Sequence, residues 1–113
     1  MEIIHHPDNI VETVDDNILI NDINDAPGLL FAYNSSAIII RRENVAGSFF
    51  DLSTGVAGEI LQMCSNYNIR LAITGDYSGV ESKALRDFIR ESNRRGRILF
   101  VNTAGEAAGI FAK

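Results

Sequence analysis

Asp51, Ser53, Thr54 and Gly55 lie within five residues, in the stretch FFDLSTGVAGEIL, just ahead of a run of helix-forming residues. A carboxylate, two hydroxyls and a glycine at a helix entrance suit four uses: capping, holding an anion, accepting a phosphate, or presenting a surface to a partner. Capping is the ordinary one, since Asp, Ser and Thr side chains accept from the free N–H groups of a first turn and stabilise it by about 1 kcal/mol. The other uses draw on the partial positive charge of a helix start, which favours an anion or a phosphorylated hydroxyl. A nucleotide phosphate loop is excluded: GxxxxGK[ST] is absent and no lysine precedes Lys83. The small residues Gly55, Ala57 and Gly58 instead let a helix pack closely against a sheet or another protein.

The remaining reactive side chains form no complete constellation. His5 and His6 are the only histidines, and neighbours on a strand point to opposite faces, so they share no mononuclear metal site. Neither belongs to a GxSxG nucleophile arrangement. Asp15, Asp16, Asp22 and Asp25 are acidic enough for calcium, but the twelve-residue loop with a closing glutamate is missing, so they read as turn and cap residues. Arg86, Arg90 and Arg94 form a stripe at i, i+4, i+8, with Asp87 and Glu91 interleaved, the pattern of a solvated helix face. Cys64 is the single cysteine; it falls on an apolar helical face as a small buried hydrophobe. No intrachain disulfide, zinc cage or cofactor motif is expected.

Composition narrows the function classes further. A chain of 113 residues makes one domain, 1–113, with 46% hydrophobic residues to build its core. The net charge of −5 argues against nucleic acid, whose phosphates demand a basic excess. Apolar runs fall far short of the ~20 residues that span a bilayer, and the N-terminus MEIIHHPDN lacks the pattern of a signal peptide. A reducing, cytoplasmic setting is the expectation.

The elements that position these residues follow from periodicity. Glu2–His6, Ile10–Val14 and Ile18–Ile20 read as three short strands separated by turn residues, too close together for crossovers, hence an antiparallel meander. A helix capped by Asn21 or Asp22 runs to about Tyr33, its first turn disturbed by Pro27 and Gly28. Ala37–Arg41 is a strand buried on both faces. A helix from Gly55 to Tyr67 turns Val56, Ile60, Met63, Cys64 and Tyr67 inward. Ile69–Thr74 is a strand, and Ser78–Glu81 a capping box ahead of a helix that buries Val80, Ala84, Leu85, Phe88 and Ile89 and stops at Gly96. Arg97–Val101 is the last strand, and Thr103–Glu106 a second capping box ahead of a helix packing Ala107, Ile110 and Phe111. The fold class is α/β: a single mixed sheet, antiparallel at its N-terminal end and parallel where strands and helices alternate, with helices packed on it.

The run FFDLSTGVAGEILQMCSNYNIRLAITGDYS, followed by SKALRDFIRESNR, resembles an uncharacterised family of short bacterial proteins, domain of unknown function number four-one-eight-zero. The likeness spans essentially the whole chain and implies a bacterial, cytoplasmic protein without supplying an activity. The order βββ-α-β-α-β-α-β-α, with an Asp–hydroxyl–Gly helix entrance after the fourth strand, is similar to STAS domains, the fold of anti-sigma-factor antagonists. Those domains carry Asp-Ser-Ser-Gly-Leu there, and a partner kinase phosphorylates a serine in it to switch binding. Ser53, Thr54, Gly55 and Val56 match the Ser-Ser-Gly-Leu part, which implies Thr54 as the phosphoacceptor position with Ser53 beside it. Leu52 departs from the pattern as an extra residue between Asp51 and Ser53.

Two functional expectations emerge. The first is a non-enzymatic regulatory or protein-interaction module with a protein partner, working through the Asp51–Gly55 entrance and Asp76 and Tyr77 at the next strand end; self-association is left open. The second is a binder or enzyme for a small anionic or polar molecule, using Asp51, Asp76, Tyr77 and Asn102 beyond the carboxyl ends of the strands, where open α/β sheets bind ligands. A flat patch beside Gly55 favours the first and a deep polar pocket the second.

Overall fold

Ile38 and Ile40 turn to one side of their strand and Ala37 and Ile39 to the other, and all four are buried, as a strand covered on both faces requires. The computed structural model, which describes residues 1–113, builds the sheet around this strand. β1 (Glu2–His6) and β2 (Ile10–Val14) form an antiparallel hairpin; β3 (Ala37–Arg41), β4 (Arg70–Thr74) and β5 (Ile98–Val101) follow in parallel. The strands lie in the order β1-β2-β3-β4-β5. The hairpin turn holds Asp8 and Asn9 at φ of 66° and 60°, a conformation that short polar side chains tolerate.

Between the strands come α1 (Ala26–Leu30), α2 (Gly47–Phe50), α3 (Val56–Asn66) and α4 (Lys83–Arg95), and after β5 comes α5 (Ala104–Phe111). The larger core cluster joins residues of α1, α2 and α3 to Val11, Ile38, Ile40, Leu71, Ile73, Ile98 and Phe100 of the strands, with Phe88 and Ile89 of α4 packed against it. The smaller cluster sets Ala107 and Phe111 of α5 against Ile10, Ala37, Ile39, Ala72, Leu99 and Val101. So α1–α4 cover one face and α5 alone covers the other. Arg70 fastens α5: its guanidinium donates to the Phe111 carbonyl at 2.6 Å and lies 4.6 Å from the Phe111 ring centroid.

The expected third strand, Ile18–Ile20, is not a strand. Only one bridge forms, Ile20 with Val45, because β1 and β3 already occupy both edges of β2. The segment still alternates, with Ile20 fully buried and Ile18 exposed, so it mimics a strand in its pattern. Its backbone is held by the loop after β3: Leu19 and Ile20 N–H both donate to the Asn44 carbonyl, at 2.7 and 3.1 Å. The N-terminal antiparallel region is therefore a two-stranded hairpin.

Three helix expectations also change. The first helix is a 3₁₀ turn, Ile23–Asp25, followed by α1, which ends at Leu30 short of Tyr33; Asp22 and Asp25 cap the turn reciprocally. Ser78 caps nothing. Its amide and hydroxyl both donate to Asp76, and Ser82 caps α4 by accepting from Leu85 N–H at 3.2 Å. Val80 therefore precedes the helix and Ala84 is exposed. Tyr67 and Ile110 are also exposed, at 65% and 40%. The arginine stripe is a solvated face, with Arg90 on Asp87 and Arg94 and Arg95 on Glu91. Cys64 is fully buried, and burial raises its thiol to about 11, which makes it inert near neutrality.

Asn44 is the buried polar hub of this architecture. Its side-chain oxygen accepts from Arg41 N–H at 3.0 Å, and its amide donates to the carbonyls of Asp15 and Asn17 at 2.7 and 2.8 Å. Truncation leaves buried groups unpaired, and Asn44→Ala is expected to destabilise the fold by about 2–3 kcal/mol. The exposed Asn17→Ala should change little. Urea denaturation of the pair checks this; equal midpoints would remove Asn44 from that role.

Candidate functional site

β3 ends in Arg41, so Arg42 is the first residue beyond the sheet, at the edge where β4 ends in Thr74. Gly75 follows β4 and lets the arginine lie flat across it: a Cβ there would stand 2.9 Å from Arg42 Cβ. The guanidinium is 5.2 Å from the Phe50 ring centroid and 5.0 Å from that of Tyr77, a cation laid over two adjacent rings whose own centroids are 6.3 Å apart. It also donates to the Asp76 carbonyl at 2.5 Å. Beneath it Phe100 of β5 contacts the rings of Phe49, Phe50, Tyr77 and Phe88, with centroids 5.5–6.4 Å away. Phe50 and Tyr77 thereby bring the loop after β3 and the loop after β4 together over one aromatic floor.

Asp51, Ser53, Thr54 and Gly55 follow Phe50 directly. The Asp51 carboxylate accepts from Ser53 N–H at 3.1 Å and from the Ser53 hydroxyl at 2.6 Å, which caps a 3₁₀ turn, Leu52–Thr54. The expected side-chain cap of α3 is absent. Gly55 occupies the cap position at φ 80°, and its carbonyl accepts from Glu59 N–H at 3.0 Å. A left-handed cap of this kind suits glycine, which lacks the Cβ that would clash. Thr54 serves the turn: its hydroxyl lies 2.7 Å from the Ser48 carbonyl and 2.9 Å from the Asp51 carbonyl, and accepts weakly from Val56 N–H. Ser53 and Thr54 are both exposed.

Asp76 repeats the device. Its carboxylate accepts from the Ser78 amide at 2.9 Å and the Ser78 hydroxyl at 2.6 Å, so Asp51-Leu52-Ser53 and Asp76-Tyr77-Ser78 are the same closed turn on either side of the Arg42 stack. Tyr77 donates its hydroxyl to the Ile73 carbonyl at 2.8 Å, and burial raises its phenol well above the ordinary value. Asn102 lies apart from this group, its N–H reaching Glu106 at the start of α5.

The electrostatics oppose acid–base chemistry here. Donation from Ser53 holds Asp51 below the ordinary carboxylate value, and donation from Ser78, with Arg42 nearby, does the same for Asp76. Both are therefore ionised near neutrality and engaged by their own turns, far from the poise a general base needs. Ser53 donates to a carboxylate with no histidine to accept its proton. No three His, Cys, Asp or Glu side chains converge, and no helix is long and apolar enough to cross a membrane. The cavities of about 200–340 Å³ lie elsewhere, around Met1, Leu19 and Tyr33, around Met1 and Asp15–Asn17, and around Phe31, Asn34 and Tyr67. None is lined by Asp51–Gly55, Asp76 or Tyr77. Arg42-Glu43-Asn44 is expected from sequence beyond the carboxyl end of its strand, but with no role for Arg42, which here lies over the rings of Phe50 and Tyr77 where the two loops meet.

The folded values of Asp51 and Asp76 lie below their unfolded ones, so their stabilising contribution exists above about pH 4 and is lost as pH falls through the folded values. Ser53→Ala is expected to raise the titration midpoint of Asp51 towards the ordinary carboxylate value and leave Asp76 unmoved; Ser78→Ala should do the reverse. Carboxyl carbon shifts followed by NMR test this, and a midpoint insensitive to its own serine would refute the assignment of cause.

No curated protein and no solved structure matches the chain significantly. Residues 5–110, nearly the full length, match the model of a family described as a domain of unknown function, DUF4180, and the chain belongs to that family.

Proposed function

We propose that the chain is a non-enzymatic interaction module of STAS-like type, acting inside the cell through the surface around Asp51–Gly55 and the first turns of α3. One observation carries this reading: none of the cavities is lined by the loops beyond the carboxyl ends of β3 and β4, where the rings of Phe50 and Tyr77 stand 6.3 Å apart with Arg42 laid over both. A flat, exposed surface with fixed turns suits a protein partner better than a metabolite. Gly58 lies exposed on α3, and nothing stands within 4 Å of the Cβ position it lacks, so the helix is thin at that point on its outer side.

Regulation by phosphorylation fits the same surface. A kinase transferring a phosphoryl group to the Thr54 hydroxyl would remove the donor that ties the turn to the Ser48 and Asp51 carbonyls. It would also set about two negative charges close to the Asp51 carboxylate. Both effects would loosen the turn and repel an acidic partner.

Gly58→Arg tests the interaction without unfolding the protein. Gly58 lies in the first turn of α3, where the gain from replacing glycine opposes the cost of a cation at the helix start, while the long side chain blocks the surface. Tagged wild type should retain a specific protein from extract of its source cells, and Gly58→Arg should lose it at a nearly unchanged melting temperature. Should both retain nothing while a metabolite library raises the melting temperature, the module reading would give way to a ligand binder.

A further inference from the structure

The two edges of the sheet are finished differently. At β5 the outward backbone groups are taken up by side chains of α4. Ser92 donates to the Ile98 carbonyl at 2.6 Å, and the Asn93 side chain accepts from Phe100 N–H at 2.7 Å and donates to its carbonyl at 3.1 Å. Asn93 thus imitates a neighbouring strand and closes that edge to pairing. At β1 nothing comparable occurs: apart from its ladder with β2, no residue from Glu2 to His6 has a backbone hydrogen bond to another part of the chain. An open row of N–H and C=O groups is a template for another strand.

The side chains of β1 select the occupant. Glu2, Ile4 and His6 share one face of the strand and Ile3 and His5 the other. Two copies paired antiparallel about a twofold axis through Ile4 place residue i opposite residue 8 − i, so Ile4 meets Ile4 of the other copy, Ile3 meets His5, and Glu2 meets His6. One face then carries a central Ile–Ile contact flanked on both sides by a carboxylate–imidazole pair, with opposite rather than like groups facing each other. Within its own chain His6 Nε2 is already 2.9 Å from Glu12, and a ring carrying both protons offers Nδ1–H to the second carboxylate. Ile4 and His6 are half-buried and Glu2 exposed, so the row is reachable without unfolding the hairpin.

We propose that β1 is a self-association edge, joining two copies of this chain through an antiparallel β1–β1 pair centred on Ile4 into one continuous ten-stranded sheet. The pairing is isologous, so it closes at the dimer. It uses only one short strand from each chain, a small interface that makes the dimer one that dissociates on dilution. The surface around Asp51–Gly55 takes no part, so the proposal stands independently of the interaction module.

Sedimentation of the wild-type protein across concentrations, combined with cysteine cross-linking, tests it. Because Cys64 is buried, a new surface cysteine is the only accessible thiol. Ile4→Cys should form a disulfide-linked dimer under mild oxidation. His6→Cys should not, since the two copies of position 6 lie roughly 14 Å apart along the paired strands. Ile4→Lys and Ile4→Glu should each sediment as monomers, and an equimolar mixture of the two should recover the dimer. That recovery also shows that both variants fold. A wild type that stays monomeric at the highest concentration overturns the proposal, and so do equal cross-linking at positions 4 and 6 and a mixture that remains monomeric. Pairing of β1 with an added extended peptide by an otherwise monomeric protein would likewise overturn it, assigning the edge to a foreign strand.

Discussion

Every crossover from β2 onward advances by one strand in the same direction. With the right-handed hand that such connections take, each connecting helix must fall on the same face of the sheet, and α1–α4 do. The opposite face would be bare if the chain ended at β5. It is covered instead by α5, which crosses back beneath β5, β4, β3 and the start of β2 and is pinned by Arg70. Ala37, Ala72 and Ala107 keep that second interface thin, whereas the first is built from Ile, Leu and Phe. The unequal thickness of the two layers follows from how many helices each has to hold.

The same unidirectional winding shapes the carboxyl edge. Doubly wound sheets bind ligands where the strand order reverses, because neighbouring connections part to opposite faces and leave a crevice. Here the order never reverses, and the loops after β3 and β4 lean the same way. Phe50 and Tyr77 bring them together, with ring centroids 6.3 Å apart. Arg42 lies over both rings, flattened against Gly75 and held by a carbonyl. Its stacking and hydrogen-bonding partners are neutral while the Asp76 carboxylate lies near enough to feel its charge, so one guanidinium and the carboxylates of Asp51 and Asp76 share this surface. A partner would meet both signs within a small area, which serves specificity more than raw affinity.

Strands β1 to β5 were legible because each is a short apolar or alternating run bounded by turn residues, and α3 and α5 because most of their apolar residues fall on one face, Tyr67 and Ile110 excepted. Ile18–Ile20 misled because alternation reports burial, and burial is satisfied by a bridged loop as well as by a strand. Whether a hydrogen-bonding partner is free depends on the whole sheet order. Ser78–Glu81 misled because the capping-box pattern says nothing of Asp76, two residues upstream, which engages the serine amide and hydroxyl first. The positions of Arg42 and Asn44 beyond a strand end were legible but their roles were not, because their partners Phe50, Tyr77, Asp15 and Asn17 are brought to them by folding and no local spacing encodes that. Local sequence placed Asp51, Ser53, Thr54 and Gly55 correctly at a helix entrance, yet misassigned who caps what.

That misassignment changes what the entrance can do. A side-chain cap would have left Asp51 or Thr54 bound to the helix itself, and altering the cap would have frayed α3. Instead Gly55 caps with its backbone, and Asp51, Ser53 and Thr54 close a separate 3₁₀ turn in front of it. The turn is coupled to the helix mainly through a left-handed glycine and one long bond from Val56. Leu52 packs that turn against the same core cluster that holds the fully buried Phe49. Within the turn Asp51 accepts from the Ser53 amide and hydroxyl across Leu52, so its hydrogen bonds are local, and those of α3 begin separately at the Gly55 carbonyl.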